Sequence, residues 1–243
     1  MRTICLVILL ALVASGASFA ADADIDVYTG MNLIGISRVP FDPAPWNVGG
    51  TGIFNLEFTN LELNGKLYRY DNTTGGYMSP WSRFNPSGFG NCLLGDAYWL
   101  SNTTGVQKLV TYAAVEDGVP DGVSGLMTDM WVSLPGVQGD GQDIGGVHMI
   151  GHPFEHNTPL NHTLTNGDGI WLTDGTELKT LKEAKAAGWC GDTFYRYNIG
   201  TGGYDTVAPR FATYNYLAPD LGYWFGTNKD NLALILPSSD HVW

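Results

Sequence analysis

The sequence predicts a mainly β protein made of two tandem homologous modules, sandwich-like or barrel-like, with one short helix in the second. Three observations carry that expectation. The stretch YRYDNTTGGY at 68–77 returns as YRYNIGTGGY at 195–204, identical at seven of ten positions and offset by 127 residues. Flanking blocks keep the same order around both copies: NLIGISRVPF (32–41) answers HMIGHPF (148–154), and LLGDAYWLSN (93–102) answers PDLGYWFGTN (219–228). A repeat period of about 120 residues means two domain-sized units and not a solenoid of short repeats. Finally, short runs rich in Val, Ile, Leu, Tyr and Trp are broken at intervals of roughly 8–12 residues by Gly, Asn, Asp or Pro, which is the pattern of an all-β chain.

In chain order, residues 1–20 read as a signal peptide. Arg2 precedes the apolar run ICLVILLALVASGASFA, which closes on Ser18-Phe19-Ala20, a small-x-small cleavage pattern. The expected products are the first β-module at 21–115, a Gly/Asp-rich linker at 116–128 and the second β-module at 129–243. In LYRYD, alternation puts Tyr68 and Tyr70 on one face of a strand and Arg69 on the other. TTGG then supplies residues that tolerate positive φ in a tight turn, and Tyr77 opens the return strand. VQKLVTY (106–112) closes the first copy as LALILP (232–237) closes the second. MWVSLP begins the second module as a strand. TELKTLKEAKAAGW (176–189) is the expected helix, with Leu178, Leu181 and Ala184 apolar and Gly188 as the stop. Its counterpart FNLEFTNLELNG is shorter and reads as strand or a single turn.

The net charge is −12, and loss of Arg2 with the signal peptide takes it to −13. Such a surface repels phosphate, so nucleic acid and anionic membranes are not expected partners. The last strand, NLALILPSSDHVW, is continuously apolar and then polar, where a membrane-barrel strand alternates. The chain is therefore expected to be exported, not membrane-spanning, and located outside the cell or at its surface. No nucleophile elbow, zincin motif, P-loop or dinucleotide fingerprint occurs, so an enzyme is not expected.

The blocks NLIGI…P or HMIGHPF, then YRY…TGGY, then GYWF resemble a pattern of secreted and cell-surface modules of bacteria and archaea. The resemblance implies β-rich modules of the cell exterior, as in surface-layer and repeat proteins, with no defined activity. It carries no functional residue over, because the matched positions read as fold determinants.

Candidate sites remain. Four of the five histidines fall at His148, His152, His156 and His162, with Glu155 among them. Imidazoles with a carboxylate suit zinc or copper, but Gly151 and Pro153 rule out helical alignment, and the alternative is ordinary loop histidines. The loops DGVPDG (117–122), GDGQD (139–143) and NGDG (166–169) could offer oxygens to a structural Ca2+, or could simply be turns. Tyr68, Tyr70, Tyr77 and Trp99, with Tyr195, Tyr197, Tyr204 and Trp224, form a repeated aromatic set. They could stack on sugar rings or serve as shared core and cross-strand packing. The unrepeated Trp46, Trp81 and Trp243 lie in Pro-rich or terminal stretches and are better placed for exposure and ligand binding. Cys92 and Cys190 could bridge the modules or remain two buried thiols. Sequons mark Asn72, Asn102 and Asn161 for N-glycosylation, the first two in turns expected at the surface. The reading these features favour is a non-catalytic structural protein that assembles with itself into a surface layer, sheath or filament. The alternative is a secreted protein that binds cell-surface glycans.

Overall fold

The computed structural model describes residues 21–115, 124–126, 128–137, 144–162 and 169–238. Both hairpins form as the turn chemistry demands. Strands β3 (Leu67–Asp71) and β4 (Gly76–Tyr77) pair Tyr70 with Tyr77, and β12 (Cys190–Asn198) and β13 (Gly203–Val207) pair Tyr197 with Tyr204. Gly75 and Gly202 sit at the same place in the two turns with the same φ of 68°, a conformation that penalises any Cβ.

The register repeats as faithfully as the residues do. In the first module β2 (Gly30–Gly35) pairs with β5 (Ala97–Asn102), matching Leu33 to Trp99, and β5 also pairs Trp99 with Tyr68 of β3. In the second, β8 (Gly146–Gly151) pairs with β15 (Gly222–Thr227), matching Met149 to Trp224, which in turn opposes Tyr195. The resulting sheets have the orders β2-β5-β3-β4 and β13-β12-β15-β8. Each carries one face of its own module's core. In the first module, β1 (Ala21–Val27) and β6 (Lys108–Ala114) form a two-stranded sheet over Ile34, Leu67, Tyr98 and Leu100. In the second, the order is β11-β10-β16-β7: β11 (Leu178–Thr180), β10 (Trp171–Thr173), β16 (Leu232–Leu236) and β7 (Met130–Leu134). This sheet covers Ile150, Phe194, Tyr223 and Phe225. Four of the five residues of β16 are buried, as its unbroken apolar run requires. A short ladder of β9 (Thr158–Pro159) with β14 (Tyr216–Leu217) is found only in the second module.

The other face of each hairpin-bearing sheet is turned toward the partner sheet. Leu33, Ala97, Trp99 and Met149 form a third core between the modules, flanked by Tyr68, Tyr70, Tyr197 and Trp224. The contact is pseudo-twofold. Gly35 N donates to Asp220 O at 3.0 Å, and the repeat-equivalent Gly151 N donates to Gly95 O at 2.9 Å. The bridges Ile34–Leu221 and Ile150–Asp96 are likewise equivalent. Glycine is required at both points because the backbones touch. A Cβ on Gly35 would lie 2.8 Å from Leu221 O, and one on Gly151 would fall on the Asp96 carbonyl oxygen.

The fold is thus mainly β and sandwich-like, as expected, with two differences in detail. The helix of the second module spans only Leu181–Ala186, because Leu178–Thr180 belongs to β11. Its first-module counterpart is a single helical turn, Asn60–Leu63. Both start with a capping box, Thr59 with Glu62 and Thr180 with Glu183, in which hydroxyl and carboxylate satisfy each other's backbone N–H. Among the described residues no helix is long and apolar enough to cross a membrane. The expected signal peptide (1–20), most of the expected linker, nearly all of the calcium loops and Trp243 lie outside the described residues.

Candidate functional site

The repeated aromatics meet across the pseudo-dyad. Tyr70 of the first module stands edge-on to Trp224 of the second, with ring centroids 4.9 Å apart and planes at 81°. The equivalent pair, Tyr197 and Trp99, is also 4.9 Å apart, at 75°. Tyr77 closes on Tyr70 at 5.4 Å and Tyr204 on Tyr197 at 5.8 Å, both edge to face. Edge-to-face geometry is what ring quadrupoles favour, so the cluster is a stable surface and not a chance crowding. Its inner members are covered: Trp99 is 7% exposed, while Tyr77, Tyr195 and Tyr204 are 54%, 45% and 51% exposed.

These outer rings line a groove. A hollow of about 660 Å³ is bounded by Tyr70, Tyr77, Val147, Tyr195, Tyr204, Thr206 and Trp224. Its pseudo-dyad mate, of about 360 Å³, is bounded by Met31, Tyr68, Tyr77, Met78, Pro80 and Trp99 and shares Tyr77 with it. A third hollow of about 770 Å³ shares Tyr70 and Tyr195 and brings in Gly145, Asp192, Thr193 and Asn228. The first two contain no carboxylate and no imidazole. They offer ring faces, hydroxyls and little else. Burial pushes the Tyr70 and Tyr77 hydroxyls above the ordinary phenol value, with Asp71 adding to the first and Tyr204 and Tyr70 to the second, so both stay protonated donors.

The unrepeated Trp46 and Trp81 are brought together from 35 positions apart, with centroids at 6.3 Å. Trp46 Nε1 donates to Phe58 O at 3.1 Å, and Trp81 is buried in the first module's core wall. Trp81 is therefore not the exposed ring that its Pro-rich context suggests.

The histidines are separated by their partners. His148, on β8, is buried with Nε2 3.0 Å from Thr227 Oγ1. His152 is enclosed, with Nδ1 3.0 Å from Phe154 O and Nε2 2.8 Å from Thr158 Oγ1. Burial drives both toward the neutral form, His148 to about 4 and His152 to about 3, the latter aided by His156, whose ring is centred 6.2 Å away. Among the described residues no three His, Cys, Asp or Glu side chains are gathered as a metal site. Cys92 and Cys190 are buried free thiols in different cores, so the bridge between modules is not formed.

Two sequons depart from the surface placement that turn chemistry suggested. Asn102 is 2% exposed, donating to Val106 O at 2.8 Å while its Oδ1 accepts from Thr104. Asn72 is half-buried, and its Oδ1 accepts from Met149 N of the other module at 2.9 Å. Both amides are structural acceptors or donors within the fold. Asn161 alone of the three is exposed.

The residues that sequence reasoning missed are the groove's rim and the pocket beside Trp81: Val147, Thr206, Asn60, Arg83 and Asn91. No spacing rule joins them, but one signal did exist. MNLIG and AYWL are apolar on both strand faces, which marks sheets covered on both sides. No protein-family model, curated protein or solved structure matches the chain.

Proposed function

We propose that the chain is a non-catalytic exported protein that holds a glycan along the aromatic groove at its pseudo-dyad. The observation that carries this reading is the run of half-exposed Tyr77, Tyr204 and Tyr195 beside the partly buried Trp224, in a hollow without carboxylates. Pyranose faces stack on such rings, and the tyrosine hydroxyls donate to sugar oxygens. The carboxylate on the path of the three hollows, Asp192, is tied to Lys185 and Arg210, which disfavours its use as a general acid or base in hydrolysis. The hollows that share Tyr77, and then Tyr70 and Tyr195, favour a chain of several sugar units over a single one.

The test is retention of the purified chain by a panel of neutral polysaccharides in affinity electrophoresis, beside Trp224→Ala and Tyr204→Ala. Retention by at least one polymer, weakened roughly tenfold in Trp224→Ala, is the expected result. Uniform failure across the panel, or equal retention of variant and parent, refutes the reading.

The second reading is a self-assembling subunit of a surface layer, sheath or filament. It is favoured by Trp131, 60% exposed on the sheet-edge strand β7, since an apolar edge is a template for another copy. Light scattering with calcium and then with chelator tests it. Ordered polymers support assembly, their loss on chelation adds Ca2+, and a monomer in both conditions refutes it.

A further inference from the structure

A half-open hollow lies away from the pseudo-dyad, in the first module. It has a volume of about 390 Å³ and is walled by the Trp46–Trp81 pair with Pro45, Asn60, Arg83 and Asn91. Its position is not explained by the repeat. Trp81 follows the first hairpin in TGGYMSPW, where the second copy has TGGYDTVA, so its counterpart is the small, buried Ala208.

The wall is built rigidly. The chain 42–55 is tied by Asp42, which accepts from Ala44 N at 3.0 Å and from the Asn47 and Thr51 side chains. Asn55 binds both the N–H and the carbonyl of Asn47, at 3.0 and 2.7 Å. Trp46 is fixed by its bond to Phe58 O.

Four polar side chains in this wall have no hydrogen-bond or ion-pair partner among the described residues. The Trp81 indole N–H is buried and has no hydrogen-bond acceptor. A buried donor left unpaired costs free energy, and an unseen partner is the usual explanation. The side chains of Asn60 and Asn91 make no hydrogen bond among the described residues. Arg83 is the decisive member. Arg38, Arg69, Arg196 and Arg210 each pair with a carboxylate, in a chain with twice as many acidic as basic residues. Arg83 has no such partner among the described residues, and its guanidinium carbon instead lies over Phe84, 4.5 Å from the ring centre. Its backbone is held by Asn64 Oδ1, 3.0 Å away.

We propose that this pocket is a second binding site, specific for a carboxylate-bearing sugar. Trp46, backed by the buried Trp81, offers an apolar face to the pyranose ring, Asn60 and Asn91 serve its hydroxyls, and Arg83 takes the carboxylate through paired N–H donors. The site is independent of the aromatic groove, because no residue is common to the two linings.

The experiment titrates sodium glucuronate, and separately glucose, into the purified chain. Heat release and the indole N–H resonances of Trp46 and Trp81 are followed. Glucuronate is expected to shift both resonances and to bind at least roughly tenfold more tightly than glucose, with affinity falling as NaCl rises. Arg83→Gln, an exposed change checked for folding by circular dichroism, is expected to lose that preference, and Arg83→Lys to keep part of it. Trp224→Ala is expected to bind glucuronate unchanged, which separates this site from the groove. Unshifted indole resonances at tens of millimolar glucuronate, equal affinity in Arg83→Gln and parent, or loss of binding in Trp224→Ala each overturn the proposal.

Discussion

Just before its Tyr-Trp strand the first module turns on Gly95 and the second on Asp220, and both residues take a left-handed backbone, with φ of 80° and 59°. Both carbonyls accept an N–H from the opposite module. The backbone task is therefore the same, but only Asp220 brings a carboxylate into the contact, where it accepts from Ser37 Oγ. The same contrast recurs elsewhere. Tyr98 and Tyr223 perform an identical service, each hydroxyl accepting a backbone N–H five residues upstream at 2.7 Å, from Leu93 and from Ala218. Arg69 and Arg196 are equivalent in sequence, yet one pairs with Asp96 at 2.6 Å and the other with Asp205 at 3.1 Å. What is repeated maintains the fold and the dyad, whereas what differs is free to carry chemistry.

The dyad also bears on assembly. A surface that meets its own counterpart closes on itself, and here the hairpins meet within one chain. Edge strands β2 and β8 are partly covered in the same contact, by Asp220 O, Gly95 O and the Asn72 amide. The repeated aromatics find each other within the chain, so a polymer would use other surfaces, such as β7.

The comparison can be broken most severely at its tightest point. Gly151→Ala places a methyl group on the Asp96 carbonyl oxygen and should cost at least about 3 kcal/mol in urea unfolding. Gly35→Ala, against Leu221 O at 2.8 Å, should cost less. Equal and negligible losses in both would mean that the modules do not hold each other.

Asp220→Asn sharpens the difference between the two turns. Burial lifts the Asp220 carboxyl from 3.8 to about 6, with the Ser37 hydroxyl opposing and Glu155, Asp26 and Asp24 reinforcing. Its folded value lies above the unfolded one, so the native state binds the extra proton. That contribution is full below pH 3.8 and lost as the pH rises through about 6. Asparagine tolerates the left-handed backbone and carries no charge. The variant should gain roughly 2 kcal/mol relative to the parent at pH 8 and flatten the stability profile between pH 4 and 6. An unchanged profile would place the titration elsewhere.

Tyr98→Phe and Tyr223→Phe test the shared device. Each leaves one backbone N–H without its acceptor and should cost about 1 kcal/mol, alike in both modules, measured by thermal unfolding. A cost in only one would show that the copies have diverged in their cores. The smallest expected effect is that of Asn72→Ala, which removes the acceptor for Met149 N and should cost just under about 1 kcal/mol. The counterpart change, Ile199→Ala, should cost less still, since Ile199 is 38% exposed.

Much of the architecture was legible because it is local. Tyr-x-Tyr alternation and a positive-φ glycine specify a hairpin whatever surrounds it, and LALIL specifies a strand covered on both sides. The helix was placed correctly but drawn too long. Helix formers at 176–180 were captured by pairing with β10, and the Thr-x-x-Glu capping box at 180–183 would have marked the true start. The sites were less legible. The same tyrosines read equally well as packing or as platform, and they are both: inner rings packed, outer rings open.

By itself the sequence determined the β class, the duplication, the hairpins and their register, because turn geometry and side-chain alternation act over a few residues. Only the tertiary structure decided that the two copies face each other, that Cys92 and Cys190 belong to separate cores, and that Asn102 is buried. It alone brought Trp46, Trp81 and Arg83 to one pocket. These are distances between residues far apart in the chain, fixed by which sheet faces must be buried against each other.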